Sequence, residues 1–299
     1  MPYLGEIASL GTACCWSVNA VLFTRAGRRV GSATVNISRL TVALLAMVGL
    51  HLVLQHTPFP THAGTARFGW LGVSGLIGFA LGDAVLFESF VRLGPRLAML
   101  VMTLWPVLAA IMARVFLHQA MGASKVLAML VTLAGIALVV ADKGASLHHS
   151  RHRHLLLGLL LALGGALGQA AGFIFSKFGL AGGFSPVSAN LIRVTAGTAA
   201  LGAWQLARGR LFLNLRQLHD RRAAAFILGG ALSGPVVGVV LSLYAIDHAR
   251  FLGVASTLMS LSPVILLPVS VVLEHERVGR LAVVGTLISI AGAAALFLL

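Results

Sequence analysis

The sequence predicts an all-α integral membrane protein of ten transmembrane helices, built as two inverted five-helix repeats. Two observations carry that prediction: a composition from which no aqueous surface can be made, and a set of short motifs that occurs twice in the same order. Of the 299 residues, 58% are hydrophobic and 10% charged, and the mean hydropathy is +0.96. A soluble domain of this size needs a polar surface that such a chain does not possess. Apolar runs of roughly 20 residues recur along its length, enough to cross a hydrocarbon core about 30 Å thick. A transmembrane barrel would instead alternate in and out along strands of about ten residues, and that pattern is missing.

In chain order the spans are expected at residues 4–24, 33–54, 68–91, 96–117, 124–141, 155–177, 186–207, 223–246, 252–273 and 280–299. The first has no basic leader and carries Glu6, so it reads as a spanning helix and not as a cleaved signal. It also holds Cys14 and Cys15, adjacent and therefore unable to form a CxxC pair or a zinc knuckle; they are expected as small packing residues. Spans six and eight carry a glycine every four residues, Gly164, Gly168 and Gly172, then Gly230, Gly234 and Gly238. Such a face lets helices approach closely, either as fixed packing or as a surface on which bundles slide. Pro106 and Pro263, at equivalent places in spans four and nine, and Pro235 in span eight, are expected to kink their helices, since proline removes a backbone hydrogen bond. Spans five and ten contain no charge in their apolar cores and belong at the periphery.

The duplication rests on five collinear matches. "NISRLT" (36–41) matches "NLIRVT" (190–195), and "VLFTR" (21–25) matches "FIFSK" (173–177). Ser74, Gly78 and Gly82 align with Gly230, Gly234 and Gly238, "LVMTLWPV" (100–107) with "TLMSLSPV" (257–264), and "TLAGIA" (132–137) with "SIAGAA" (289–294). The first repeat therefore covers residues 1–142, a basic, histidine-rich linker 143–154, and the second repeat 155–299. Five spans is an odd number, so the halves are expected to lie in opposite orientations, with a binding site at their interface near the midplane.

This pattern resembles the EamA type of the drug/metabolite transporter superfamily: two five-helix repeats, each with an Arg in its second helix, L-x-P in its fourth and an Ala-Gly closing helix. The likeness runs over essentially the whole chain. In that family the fourth helix of each repeat usually ends in Glu-Arg; the second repeat has Glu276-Arg277, the first has Gln119-Ala120. The resemblance implies a ten-helix carrier of small metabolites, often amino acids and often an exporter, in a plasma membrane such as the bacterial inner membrane.

Polar residues inside the spans are few, and these are the candidates for contact with a substrate. Trp16 and Asn19 in span one, Glu88 in span three, Trp105 in span four, Gln169 in span six, Tyr244 in span eight and Ser262 in span nine are expected to line a cavity between helices 1–4 and 6–9. Arg39, Asp83, Lys177 and Arg193 are the coupling or structural charges. Each arginine either snorkels to the interface or turns inward to a carboxylate. Asp83 and Glu88 have no acidic counterpart in the second repeat, where Val239 and Tyr244 stand. Five residues apart, they point about 140° from each other around a helix. Glu88 is expected to meet a cationic group or a coupling proton in the cavity, and Asp83 to form a structural pair with a partner such as Arg39.

Charge bounds the rest. The net charge of +14 comes from arginines and lysines in short connections, which points to topology and anionic lipid and not to nucleic acid. Odd-numbered connections hold 15 of the 22 basic residues and even-numbered ones 5, so the linker and the 208–222 loop are expected in the cytoplasm with both termini outside. The four histidines of "LHHSRHRH" (147–154) lack a carboxylate or thiolate partner and sit among arginines, and "EHE" (274–276) lacks the H-E-x-x-H spacing. No metal or cofactor is expected. No span contains a nucleophile-and-base set, so an enzyme is not expected, and no phosphate loop suggests a pump. The reading is a monomeric secondary transporter of small organic metabolites, most simply amino acids, working by alternating access. A drug or cation efflux carrier and a channel or lipid-translocating protein are the alternatives.

Overall fold

The computed structural model describes residues 3–93, 98, 101–142, 152–211, 219–266 and 279–299. The Glu276-Arg277 pair, Arg96 and most of the histidine-rich linker lie outside them. The first half contains α1 (Leu4–Val30), α2 (Ser32–Gln55), α3 (Thr65–Gly75), a π segment (Leu76–Gly82), α4 (Asp83–Leu93), α5 (Trp105–Phe116) and α6 (Ala123–Asp142). The second half repeats the series as α7 (His152–Leu180), α8 (Pro186–Ala207), α9 (Arg221–Ala231), a π segment (Leu232–Gly238), α10 (Val239–His248), α11 (Leu252–Met259) and α12 (Arg280–Leu298).

Among the described residues, seven helices are long and apolar enough to span a membrane, and Trp105–Phe116 and Leu252–Leu266 are shorter apolar helices. The helix α8 has the length but is not among the seven. It carries Asn190, Arg193 and Gln205, all buried, and these polar side chains lower its hydropathy while facing the bundle. Helix α1 continues past its expected end to Val30, because Arg25, Arg28 and Arg29 extend it beyond the apolar run. Gly31 then turns the chain at φ 78°, a conformation costly for any residue with a Cβ.

Two of the three prolines do not kink a continuous helix. In each half a two-residue turn interrupts the chain, at Thr103–Leu104 and at Ser260–Leu261, and the helix restarts at Trp105 or Ser262. Pro106 and Pro263 therefore occupy the second position of a new helix, where the missing N–H would have had no partner. The turns match bond for bond: Leu104 N donates to Val101 O at 3.0 Å and Leu261 N to Leu258 O at 3.2 Å. Pro235 alone lies inside a continuous helix, within the second π segment. The carbonyl five residues before it, of Gly230, accepts from Ser233 Oγ at 3.3 Å instead.

The π segments occupy aligned positions, and each ends in glycine for a visible reason. A Cβ on Gly82 would lie 2.8 Å from Ile77 O, and one on Gly238 2.9 Å from Ser233 O. The wider turn folds the carbonyl of residue i−5 over the glycine, so any side chain would collide with backbone.

Helices exchange partners across the halves. Helix α7 packs on α3, the first π segment and α4, while α1 packs on α9, the second π segment and α10. Gly168 of α7 faces Gly82, and Gly172 faces Gly78 and the carbonyl of Ser74. In the other seam side chains fill the hollows: Phe23 over Gly230, Asn19 over Gly234, and Trp16 with Cys15 over Gly238. Helices α6 and α12 pair at one side of the bundle, with Gly135 against Ser289 and Gly292 against Thr132. Contacting residues rise in one helix as they fall in the other, so α6 and α12 cross antiparallel. Helices α2 and α8 do the same: Thr198 Oγ1 donates to Leu40 O at 3.4 Å, and His51 Nε2 lies 3.0 Å from Ser188 Oγ.

Candidate functional site

The centre of the bundle holds an aromatic group closed around an arginine. Trp105, first residue of α5, stacks on Phe173 of α7 with ring centroids 5.4 Å apart, and lies 6.4 Å from Trp16 of α1. Arg193 of α8 reaches over the rings of Phe79, at 5.0 Å, and Phe173, at 5.9 Å. It is 4% exposed, and its Nε and Nη1 have no hydrogen-bond partner among the described residues. Cation–π contact recovers about 2 kcal/mol at a desolvated site, less than the several kcal/mol of burying a charge. Gly75 makes the approach possible, since a Cβ there would collide with the backbone of Arg193.

A second charged group lies on the first half's side. Asn36 Oδ1 accepts from Arg39 Nε at 3.0 Å and Nη2 at 2.9 Å, and Arg39 Nη2 also donates to Asp83 Oδ2. Arg39 is therefore turned inward and held from α2 and α4 together. The aligned motif in α8 takes the other geometry: Asn190 Nδ2 turns away to Pro235 O at 2.8 Å, and its Oδ1, like Nε and Nη1 of Arg193, has no hydrogen-bond partner among the described residues. The carboxylate of Asp83 acts electrostatically on Arg193 as well as on Arg39.

The other candidates separate. Gln169 sits one turn before Phe173 on α7, and Asn19 covers Gly234; both are partly buried. Ser262 is occupied in packing: its Oγ donates to Ala13 O at 3.0 Å, and Ser17 Oγ donates to its carbonyl at 2.9 Å. Lys177 donates to the carbonyls of Ile246 and Asp247, at 2.6 and 2.8 Å, closing the end of α10. Glu88 does not join the central group. Its side chain is 48% exposed and holds Arg92 at 2.7 Å, one turn on; a carboxylate near a helix end reaches water and a neighbouring cation at less cost than a buried cavity. Tyr244, its aligned partner, likewise stacks on the residue four further on, His248, at 3.9 Å.

Two clefts lie elsewhere. One of about 520 Å³ is lined by Arg29, Val30, Gly31 and Asp220, and one of about 440 Å³ by residues including Gly64, Arg67, Trp70 and Ala181. They are equivalent under the repeat, Gly64 aligning with Asp220 and Ala181 with Arg29. Each is clasped by an arginine: Arg29 Nε to Asp220 Oδ2 at 2.7 Å, and Arg67 Nη2 to Ala181 O at 3.0 Å. Neither lining includes Trp105 or Arg193, which lie buried among packed aromatic side chains.

The sequence profile of the EamA-like transporter family matches residues 3–141 and, a second time, residues 156–298. The chain belongs to this family. Among solved structures, a chain described as "Crystal structure of protein" aligns with a TM-score of 0.72 at 16% identity, covering 100% of this chain and 99% of that one; at that identity the likeness shows the fold. Comparison with curated proteins gave no match. Membership makes the protein a multi-pass membrane transporter, and the two matches coincide with the two halves.

In this EamA-like transporter, sequence reasoning missed Phe79 and Phe173. Both carried a readable signal, since Phe79 aligns with Pro235 inside the small-residue row and Phe173 follows Gln169 by four residues. The clasp Arg29–Asp220 was not legible, because Asp220 has only Gly64 as its counterpart. Gln119, the departure from the Glu-Arg pattern, accepts from Leu252 N at 2.9 Å and caps α11. A neutral amide suffices for that bond. Among the described residues, no three His, Cys, Asp or Glu side chains are grouped to hold a metal.

Proposed function

We propose that this EamA-like transporter is a monomeric secondary carrier that exports small organic metabolites, amino acids in the first place, by alternating access between inverted halves. One observation carries the reading: the halves exchange partners, α1 lying on the third helix of the second half and α7 on that of the first. The antiparallel crossings of α6 with α12 and α2 with α8 support opposite orientation of the repeats. A carrier built this way opens one seam while closing its equivalent. The two clefts, with clasps Arg29–Asp220 and Arg67–Ala181, suit the two mouths.

The chain is expected in the bacterial inner membrane, with the 208–222 loop in the cytoplasm on the basic-residue count. Trp16, Trp105 and Gln169 would line the path with Arg193, and Asp83, between two arginines, is the carboxylate placed to exchange a proton. The rival reading of a cation efflux carrier fits the aromatic rings but sets a cationic solute beside two arginines that share one carboxylate. The test is counterflow: proteoliposomes loaded with an unlabelled amino acid should take up its labelled form faster than empty ones, with saturation. Uptake linear in concentration and indifferent to loading would show a channel.

A further inference from the structure

We infer that Arg193 is the anchor for a carboxylate of the transported solute, so that the substrate class is small organic acids and zwitterions with an apolar or aromatic body. The inference rests on the carrier reading above and narrows its substrate. Three observations converge on it. First, Arg193 is 4% exposed with Nε and Nη1 unpartnered among the described residues, whereas the other arginine of the repeated N-x-x-R-x-T motif, Arg39, is held by Asn36 and Asp83. The motif that closes upon itself in one half stands open in the other. Second, the charges around the seam do not balance. Lys177 has Asp247 and Arg39 has Asp83, but position 239, which would supply the matching acid of the second half, is Val239. Arg39 and Arg193 thus share the one carboxylate of Asp83, which is bonded to Arg39. A buried cation so incompletely neutralised is costly, and a solute carboxylate would complete its neutralisation through two parallel N–H···O bonds. Third, the surroundings fit the remainder of such a molecule: Phe79, Phe173 and Trp105 give flat apolar walls, and Asn190 Oδ1, unsatisfied one turn before Arg193, can accept from an ammonium group.

The experiment uses the full-length protein in detergent and in proteoliposomes, with 3-phenylpropionate, its neutral amide and phenylalanine as probes. Thermal unfolding of the wild type should shift upward by several degrees with the acid and with phenylalanine, and not with the amide. Arg193→Met, which replaces the unpartnered cation by an apolar chain of similar length, should unfold at a higher temperature than the wild type without ligand and show no shift with either acid. Arg193→Lys should keep a reduced shift, since one ammonium replaces a fork. Equal protection by the amide, an equal shift from sodium chloride at the same ionic strength, or an unaltered shift in Arg193→Met would overturn the inference. So would a lower unfolding temperature for unliganded Arg193→Met, which marks a structural guanidinium. Counterflow separates this from the carrier reading: phenylalanine exchange by the wild type should fall about tenfold or more in Arg193→Met, the value of a charged hydrogen bond. Exchange that persists in the variant defeats the anchor alone. A ligand shift without saturable exchange in any protein defeats the carrier alone.

Discussion

Arg29 and Asp220 join the two halves of the chain at 2.7 Å, and the same carboxylate caps α9 through Arg222 N and Ala223 N, at 3.0 and 3.1 Å. The hydrogen bond from Arg29, then that from Ala223, holds the Asp220 carboxyl below its ordinary value of 3.8. Since the folded value is depressed, the contribution is present above pH 3.8 and is lost as pH falls through the lower folded value. Asp220→Asn should therefore lower the unfolding temperature at neutral pH and flatten its fall in the acid range. Parallel curves for the two proteins from pH 5 downward would show that the clasp contributes nothing.

The two carboxylates of the third span should behave oppositely. Asp83→Asn removes the ionic partner of Arg39 and should cost about 1.5–3 kcal/mol, the range for a hydrogen bond to a charged group. Glu88→Gln breaks an exposed pair one turn apart and should cost no more than about 0.5 kcal/mol, with transport unchanged. Thermal unfolding and counterflow on both variants check this; loss of transport in Glu88→Gln would return Glu88 to the substrate path.

The π segments should resist even the smallest side chain. Gly82→Ala and Gly238→Ala should each destabilise by about 1–3 kcal/mol through overpacking, because the obstructing atom is backbone. Gly49→Ala and Gly72→Ala, where an added Cβ meets nothing within 4 Å, should be neutral or slightly stabilising. Equal unfolding temperatures across all four would mean the π turn relaxes.

Lys177 is bonded to the carbonyls that end α10, which argues for a fixed brace. Lys177→Met should lower stability by about 1–3 kcal/mol while the pH dependence of counterflow stays as in the wild type. A shifted pH profile with unchanged stability would assign Lys177 to coupling instead.

The sequence by itself determined the class and the repeat. Hydropathy is set by composition within each span, and the order of N-x-x-R-x-T, the small-residue row and L-x-P is a one-dimensional property. It could also narrow the intramembrane charges to Arg39, Asp83, Glu88, Lys177 and Arg193, because so few exist. What each charge does was decided only in three dimensions. Asn36 and Asn190 stand in identical motifs, yet one closes on its arginine and the other turns to Pro235. The third span of the first half brings Asp83 to its motif, and that of the second half brings the Pro235 carbonyl, with Val239 in the acid's place. The prolines read as kinks because a sequence shows the missing N–H but not the turn before it that makes the loss harmless. Glu88 read as a cavity residue because its alignment with Tyr244 shows polarity, not direction; a side chain's surroundings are set by helices far away in sequence, and burial is a property of the packed bundle.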